Sequence, residues 1–103
     1  MIMFNNVLKM ASIKNLKKDI NYLVDEVIGI ALLHQYTREP EKRNELEELI
    51  NEMVTYRDHL INKVNNPDVK DSRRALKSYY RSLFNDLLEK VNSAFEKLNT
   101  VTD

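Results

Sequence analysis

The sequence predicts an all-α fold, an elongated antiparallel up-down-up bundle of three helices. The chain of 103 residues contains only one glycine and two prolines. Helix interiors disfavour these residues by about 1 kcal/mol for glycine and about 3 kcal/mol for proline, relative to alanine. The two prolines, Pro40 and Pro67, separate three long stretches in which apolar residues recur every three or four positions. This period places the apolar residues on one face of each helix, as a bundle core requires.

The first stretch predicts a helix over about residues 12–37, with Ser12 as its N-cap. Val24 and Ala31 widen the apolar stripe to the width that a bundle core needs. His34 continues the stripe, so we expect a half-buried, hydrogen-bonded histidine near one end of the bundle. The stripe itself consists of Ile13, Leu16, Ile20, Leu23, Val27 and Ile30.

The second and third helices are predicted over about residues 41–65 and 70–99. Pro40 suits the first turn of a helix, and Glu41 and Glu45 place negative charge near the positive end of the helix dipole. The Asn65-Asn66-Pro67-Asp68 sequence is typical of a turn and ends the second helix. In the third helix, Leu83, Leu87 and Val91 follow one another at intervals of four residues. This spacing departs from a strict heptad repeat and predicts a nearly straight helix. The predicted core positions are Leu46, Leu49, Met53, Tyr56 and Leu60, then Leu76, Tyr80, Leu83, Leu87, Val91, Ala94 and Leu98.

Length and composition limit the architecture to a single domain, residues 1–103. Residues 1–11 lack the basic start and long apolar run of a secretory signal. Two interpretations of this segment stay open: translation begins at Met10, or the segment forms a short helical turn against the bundle. No run approaches the roughly 20 apolar residues that span a bilayer, and the chain has no cysteine for a disulfide or thiolate site. We therefore expect a cytoplasmic protein that does not enter a membrane.

The first helix has a second, partly apolar face on the side opposite its core stripe. This face predicts an interface with a second copy, because a lone three-helix bundle leaves it in water. Gly29 would let a neighbouring helix backbone come close. The alternative is that the N-terminal segment or a fourth element covers the face. The predicted interface residues are Tyr22, Gly29, Leu32, Leu33 and Tyr36.

Two stripes of charge follow the second and third helices. The acidic stripe is Glu41, Glu45, Glu48 and Glu52, and the basic stripe is Lys70, Arg74, Lys77 and Arg81. A reversal of the chain at Asn66 would bring Arg81 level with Glu52, and Arg74 level with Asp58. Three interpretations stay open: solvated faces with local ion pairs, pairing between antiparallel subunits, and phosphate or nucleic-acid binding. For the last, the candidate contacts are Lys70, Arg73, Arg74, Lys77 and Arg81, with Tyr79 as a stacking surface.

The sequence offers no arrangement that indicates catalysis. His34 and His59 are the only histidines, and neither belongs to a spacing that places metal ligands on one helical face. The chain contains no glycine-rich phosphate loop, and no serine lies in a histidine-bearing motif. Sixteen basic and sixteen acidic side chains cancel, which argues against nucleic-acid binding over the whole surface. We expect no catalytic residue, no cofactor and no metal.

The run from Lys17 to Leu23 (KKDINYL), together with the Asn65-Asn66-Pro67 turn, resembles a group of short, all-helical bacterial proteins of unknown function. The resemblance covers about residues 10–91 and implies a bacterial cytoplasmic protein without implying an activity. The sequence as a whole predicts a non-enzymatic interaction or scaffold module that forms a homodimer through its first helix and binds an unidentified protein partner. The alternative is a nucleic-acid-associated protein that uses the basic stripe of the third helix.

Overall fold

The chain forms three α-helices in a computed structural model, which describes residues 11–36, 40–68 and 72–102. They are α1 (Ala11–Gln35), α2 (Pro40–Asn65) and α3 (Arg73–Thr102). α1 packs against both other helices, and the molecule measures 51 × 26 × 17 Å. The predicted elongated three-helix bundle is confirmed. The N-terminal segment and the Met10 start lie outside the described residues.

Most helix bounds differ from the predicted ones by one to three residues; α1 ends at Gln35 and α3 continues to Thr102. α1 already includes Ala11, so Ser12 lies inside the helix and is not its N-cap. α3 begins three residues later than expected because Ser72 caps it: its Oγ accepts a hydrogen bond of 3.1 Å from the backbone N–H of Ala75. A serine hydroxyl satisfies one of the backbone donors that a helix start leaves unpaired.

The core lies between the three helices and consists of aliphatic side chains and one methionine. Val24 and Ala31 belong to its centre, while Leu23 and Ile30 are only partly buried, so the stripe of α1 is centred slightly away from the predicted line. Tyr56 and Tyr80 are only partly buried and lie at the edge of the core. The buried residues are Leu16, Ile20, Val24, Val27 and Ala31 of α1, Leu46, Leu49, Met53, Leu60 and Val64 of α2, and Leu83, Leu87, Val91, Ala94 and Leu98 of α3.

Hydrogen bonds from side chains stabilise the end of α2. The backbone N–H of Asn66 donates to the carbonyl of Asn62 at 2.9 Å, and the side-chain amide of Asn66 donates to the same carbonyl at 3.1 Å. The hydroxyls of Tyr79 and Tyr80 donate to the next two carbonyls, those of residues 63 and 64. Carbonyls in the last turn of a helix have no partner within the helix, so these bonds complete α2 and position the start of α3.

The ion pairs between helices reveal a register between α2 and α3 that differs from the predicted one. Glu52 pairs with Lys90 and with Lys97, at 3.4 Å for Lys97, and not with Arg81. Asp58 lies 4.0 Å from Arg57 of its own helix, and not beside Arg74. The prediction was wrong because the chain does not reverse at Asn66 alone. The connection extends to Ser72, so each residue of α2 lies opposite a later residue of α3 than we predicted.

Candidate functional site

The second face of α1 is exposed, and it collects most of the large apolar side chains that the bundle leaves in water. Tyr22 is 64% exposed, Leu33 66% and Tyr36 90%. Leu32 is also exposed, and among the described residues the only other large exposed apolar side chain is Leu88 of α3. We call Tyr22, Gly29, Leu32, Leu33 and Tyr36 the apolar face of α1. The structure therefore brings all five predicted interface residues to one surface that the bundle does not cover.

Gly29 lies on the apolar face of α1 and is not required by the packing of the bundle. A Cβ atom built at this position would meet nothing within 4 Å, and the residue has no positive φ that would favour glycine. A glycine inside a helix costs about 1 kcal/mol relative to alanine. Neither a neighbouring helix nor the backbone conformation within the described bundle explains this cost.

An open groove continues the apolar face of α1 toward the start of α2. Its volume is about 530 Å³, with Leu32 and Tyr36 on one side and Arg43 and Glu47 on the other. The amide of Gln35 donates a hydrogen bond of 3.2 Å to the backbone carbonyl of Arg43, which joins the two walls. The sequence analysis missed the residues that α2 contributes, because helical periodicity does not reveal which α2 side chains flank the end of α1.

A cluster of charge lies on the seam between α2 and α3. Glu52 accepts hydrogen bonds from the ammonium groups of Lys90 and Lys97, and the Lys90 ammonium lies 5.6 Å from the centre of the Tyr56 ring. The hydrogen bond from Lys90 lowers the pKa of the Glu52 carboxyl; partial burial opposes this, and the charges of Lys90 and Lys97 add to it. A second, smaller groove of about 270 Å³ borders Glu52 and Ser93. This cluster ties α3 to α2.

Packing buries the hydroxyl oxygen of Tyr56. Its hydroxyl is buried and, within residues 11–36, 40–68 and 72–102, finds no hydrogen-bond partner. Burial raises the pKa of the Tyr56 hydroxyl to about 12, and the charges of Asp86 and Glu89 contribute to the rise. Both causes disfavour the phenolate anion. The hydroxyl therefore stays protonated at neutral pH.

The two predicted charge stripes have different environments. Glu41, Glu45 and Glu48 are exposed along α2, whereas Glu52 lies in the lysine cluster. The candidate phosphate-binding residues Arg73, Arg74, Lys77 and Arg81 are exposed at the start of α3, and Lys70 lies outside the described residues. Tyr79 is not the open stacking surface that we expected. Its hydroxyl bonds to the carbonyl of Lys63, and its ring contacts Tyr80 edge to face at 5.5 Å, so packing occupies it.

The fold separates charge between the two ends of the bundle. We call residues 11–22, 58–68 and 72–85 the basic end; they include eight lysines and arginines and three aspartates. We call residues 26–35, 40–54 and 89–102 the acidic end; they include eight glutamates and four lysines and arginines. The ion pair between Asp25 and Arg57, at 3.2 Å, lies between the two ends. The zero net charge of the chain therefore hides a strong charge asymmetry along the bundle axis.

The histidines show no metal-binding geometry. His34 is partly buried at the end of α1, and His59 is exposed on α2. Within the described part of the chain, no three histidine, aspartate or glutamate side chains lie close enough together to hold a metal ion. No described helix is both long enough and apolar enough to cross a membrane.

Comparison with known proteins gives no relative from which a function could be inferred. No family model matches the chain, and no curated protein or solved structure is significantly similar to it.

Proposed function

We propose that this protein is a non-enzymatic interaction or scaffold module that forms a homodimer through the apolar face of α1. One observation carries the proposal: Gly29 lies at the centre of an exposed apolar face, where nothing in the bundle occupies the space that its missing side chain leaves. A glycine that destabilises its own helix is explained if another helix backbone approaches there.

The chemistry of this face suits a second copy of the chain. Exposed apolar patches that include tyrosines and leucines are typical of protein interfaces, where aromatic side chains are enriched. Closed dimers with two-fold symmetry are the commonest soluble oligomers, and they use the same surface on both subunits. The basic end and the acidic end also supply complementary charge, which fixes the orientation of two copies more than it adds affinity.

Two matched substitutions test the proposed interface. Leu33→Glu introduces a charge on the apolar face of α1, and we expect light scattering at micromolar concentration to show a monomer. Leu88→Glu introduces the same charge at the large exposed apolar side chain of α3, and we expect it to leave the dimer intact. Circular dichroism checks that both variants keep their helical content. A wild-type monomer, which would also result if residues 1–10 covered the face, would overturn the proposal.

The basic end supports a second candidate function, the binding of duplex nucleic acid through its phosphates. Its eight cations come from the starts of α1 and α3 and the end of α2, and arginine forks match phosphate oxygens. Because Tyr79 is occupied by packing, contacts to the phosphate backbone are favoured over stacking on single-stranded bases. This candidate uses a surface separate from the apolar face of α1, so the two functions are compatible.

A salt titration tests the second candidate. Binding of duplex DNA and duplex RNA should weaken steeply with salt concentration, since phosphate contacts release counterions. The double variant Arg74→Ala/Arg81→Ala should weaken binding, whereas Lys42→Ala at the acidic end should not. If the wild-type protein binds neither duplex at low salt, this candidate is wrong.

A further inference from the structure

The apolar face of α1 has a symmetric arrangement about Gly29. Tyr22 lies seven residues before the glycine and Tyr36 seven residues after it. Seven residues correspond to nearly two helical turns, so Tyr22 lies about 10 Å from Gly29 along the helix and on the same side, and Tyr36, the residue directly after α1, continues this spacing. The order aromatic, glycine, aromatic is therefore the same in both directions along the helix. An antiparallel pair of copies can use such a pattern twice.

We propose that two copies cross antiparallel at Gly29, so that Tyr22 of each copy enters the groove beside Tyr36 of the other. This inference rests on the proposed homodimer and adds its geometry. The two-fold axis passes between the two glycines, where the missing side chains let the α1 backbones approach closely. Both tyrosine contacts are then equivalent.

The groove suits the ring of a tyrosine. Its volume of about 530 Å³ accommodates a phenol ring, and Leu32 and Tyr36 give it an apolar wall. Arg43 lies on the opposite wall, and a guanidinium near an aromatic face is attracted by the ring quadrupole. Within each copy, Gln35 contacts Arg43, and Asp25 contacts Arg57. These two contacts show which residues of α1 and α2 lie at the same height along the bundle axis. Arg43 therefore lies at the height of Tyr36 in the same copy, and the antiparallel crossing places Tyr22 of the other copy at this height.

Charge favours the antiparallel crossing over a parallel one. A parallel pair would bring the two basic ends together and the two acidic ends together, which costs free energy through like-charge repulsion. In the antiparallel pair the two basic ends point in opposite directions, and only the acidic ends, which contain Gly29, overlap at the crossing. Lys18 of one copy comes level with Glu41 of the other, both of them exposed.

Disulfide cross-linking tests this geometry directly because the natural chain contains no cysteine. Gly29→Cys should form a disulfide dimer under mild oxidation, since the antiparallel crossing places residue 29 against itself. Tyr22→Cys and Tyr36→Cys should not cross-link alone, because like residues would lie about 21 Å apart along the axis, beyond the Cα separation of about 7 Å that a disulfide allows. A mixture of Tyr22→Cys and Tyr36→Cys protein should cross-link. The extent of cross-linking should differ at least tenfold between the productive and unproductive combinations.

The outcomes separate this inference from the proposed homodimer. Cross-linking of Tyr22→Cys alone and Tyr36→Cys alone would indicate a parallel pair, which overturns the geometry and keeps the homodimer. A dimer by light scattering that cross-links in none of these combinations overturns both the geometry and the use of the apolar face. A variant that no longer dimerises by light scattering before oxidation is replaced by the pair Asp25→Cys and Leu33→Cys, at exposed positions four residues before and four residues after Gly29 on α1; these residues should cross-link only in the mixture.

Discussion

The hydroxyl of Tyr79 in α3 donates a hydrogen bond of 3.0 Å to the backbone carbonyl of Lys63 in the last turn of α2. Tyr80 makes the equivalent bond, of 3.2 Å, to the carbonyl of Val64. Two consecutive tyrosines thus complete the end of one helix and fix the start of the next. This connection sets the register between α2 and α3, and with it the position of the lysines that reach Glu52.

Removing the hydroxyl of Tyr79 should destabilise the protein without changing its fold. We expect Tyr79→Phe to lower the free energy of unfolding by about 1 kcal/mol, since the carbonyl of Lys63 loses its donor while the ring still packs. Urea denaturation measures the change. Tyr36→Phe is the matched control, because Tyr36 is 90% exposed and should lose nothing in monomer stability. Equal effects of the two substitutions would show that the hydrogen bond contributes no stability.

Glu52 should make the protein sensitive to acid. Because Lys90 and Lys97 lower the pKa of the Glu52 carboxyl, its contribution is present above the ordinary pKa of 4.5 and is lost as the pH falls through the lowered value. Glu52→Gln should cost about 0.5 kcal/mol at pH 7, as is typical of exposed ion pairs, and the loss should shrink as the pH falls below 4.5. Thermal melts from pH 3 to pH 7 measure this. Glu48→Gln, at an exposed position one turn earlier, should show no such pH dependence.

Replacing Tyr56 by phenylalanine should be neutral or stabilising at pH 7, by up to about 1 kcal/mol, because a buried hydroxyl without a partner is removed. The sign of the pH dependence follows from the pKa of Tyr56, which is raised from 10.0 to about 12. The stability that a protonated Tyr56 contributes is complete below pH 10 and is lost as the pH rises through 12. Tyr56→Phe should therefore lose less stability than the wild-type protein over this range. Urea denaturation at pH 7 and pH 11 makes the comparison, and an identical loss in both proteins would contradict the assignment.

Gly29→Ala should have opposite effects on folding and on association. The substitution should stabilise the monomer by about 1 kcal/mol, since alanine favours the helix and the added Cβ meets nothing within 4 Å. In the dimer the same methyl group separates the two α1 backbones, so the dissociation constant should rise at least tenfold. Unfolding at submicromolar concentration measures the first effect, and analytical ultracentrifugation measures the second. A variant that is more stable and dimerises equally well would place the contact away from Gly29.

The helices could be predicted from the sequence because glycine, proline and apolar periodicity affect helix formation through neighbouring residues in the chain. The sequence also predicted which residues of α1 face away from the core, since 100° per residue defines both faces of a helix once one is known. The register between α2 and α3 could not be predicted in the same way. It depends on the Ser72 cap and on tyrosine hydroxyls that reach backbone carbonyls 16 residues earlier in the chain. The groove and the separation of charge into two ends depend on the same tertiary placement.

The mass of the wild-type protein in solution tests the central claim most directly. Sedimentation equilibrium over a dilution series from about 100 μM downward should show twice the chain mass of 12.2 kDa at the highest concentrations. Concentration-dependent dissociation toward the single-chain mass should follow on dilution. A mass of 12.2 kDa at every concentration would contradict the account, because the apolar face of α1 would then have no second copy to cover it.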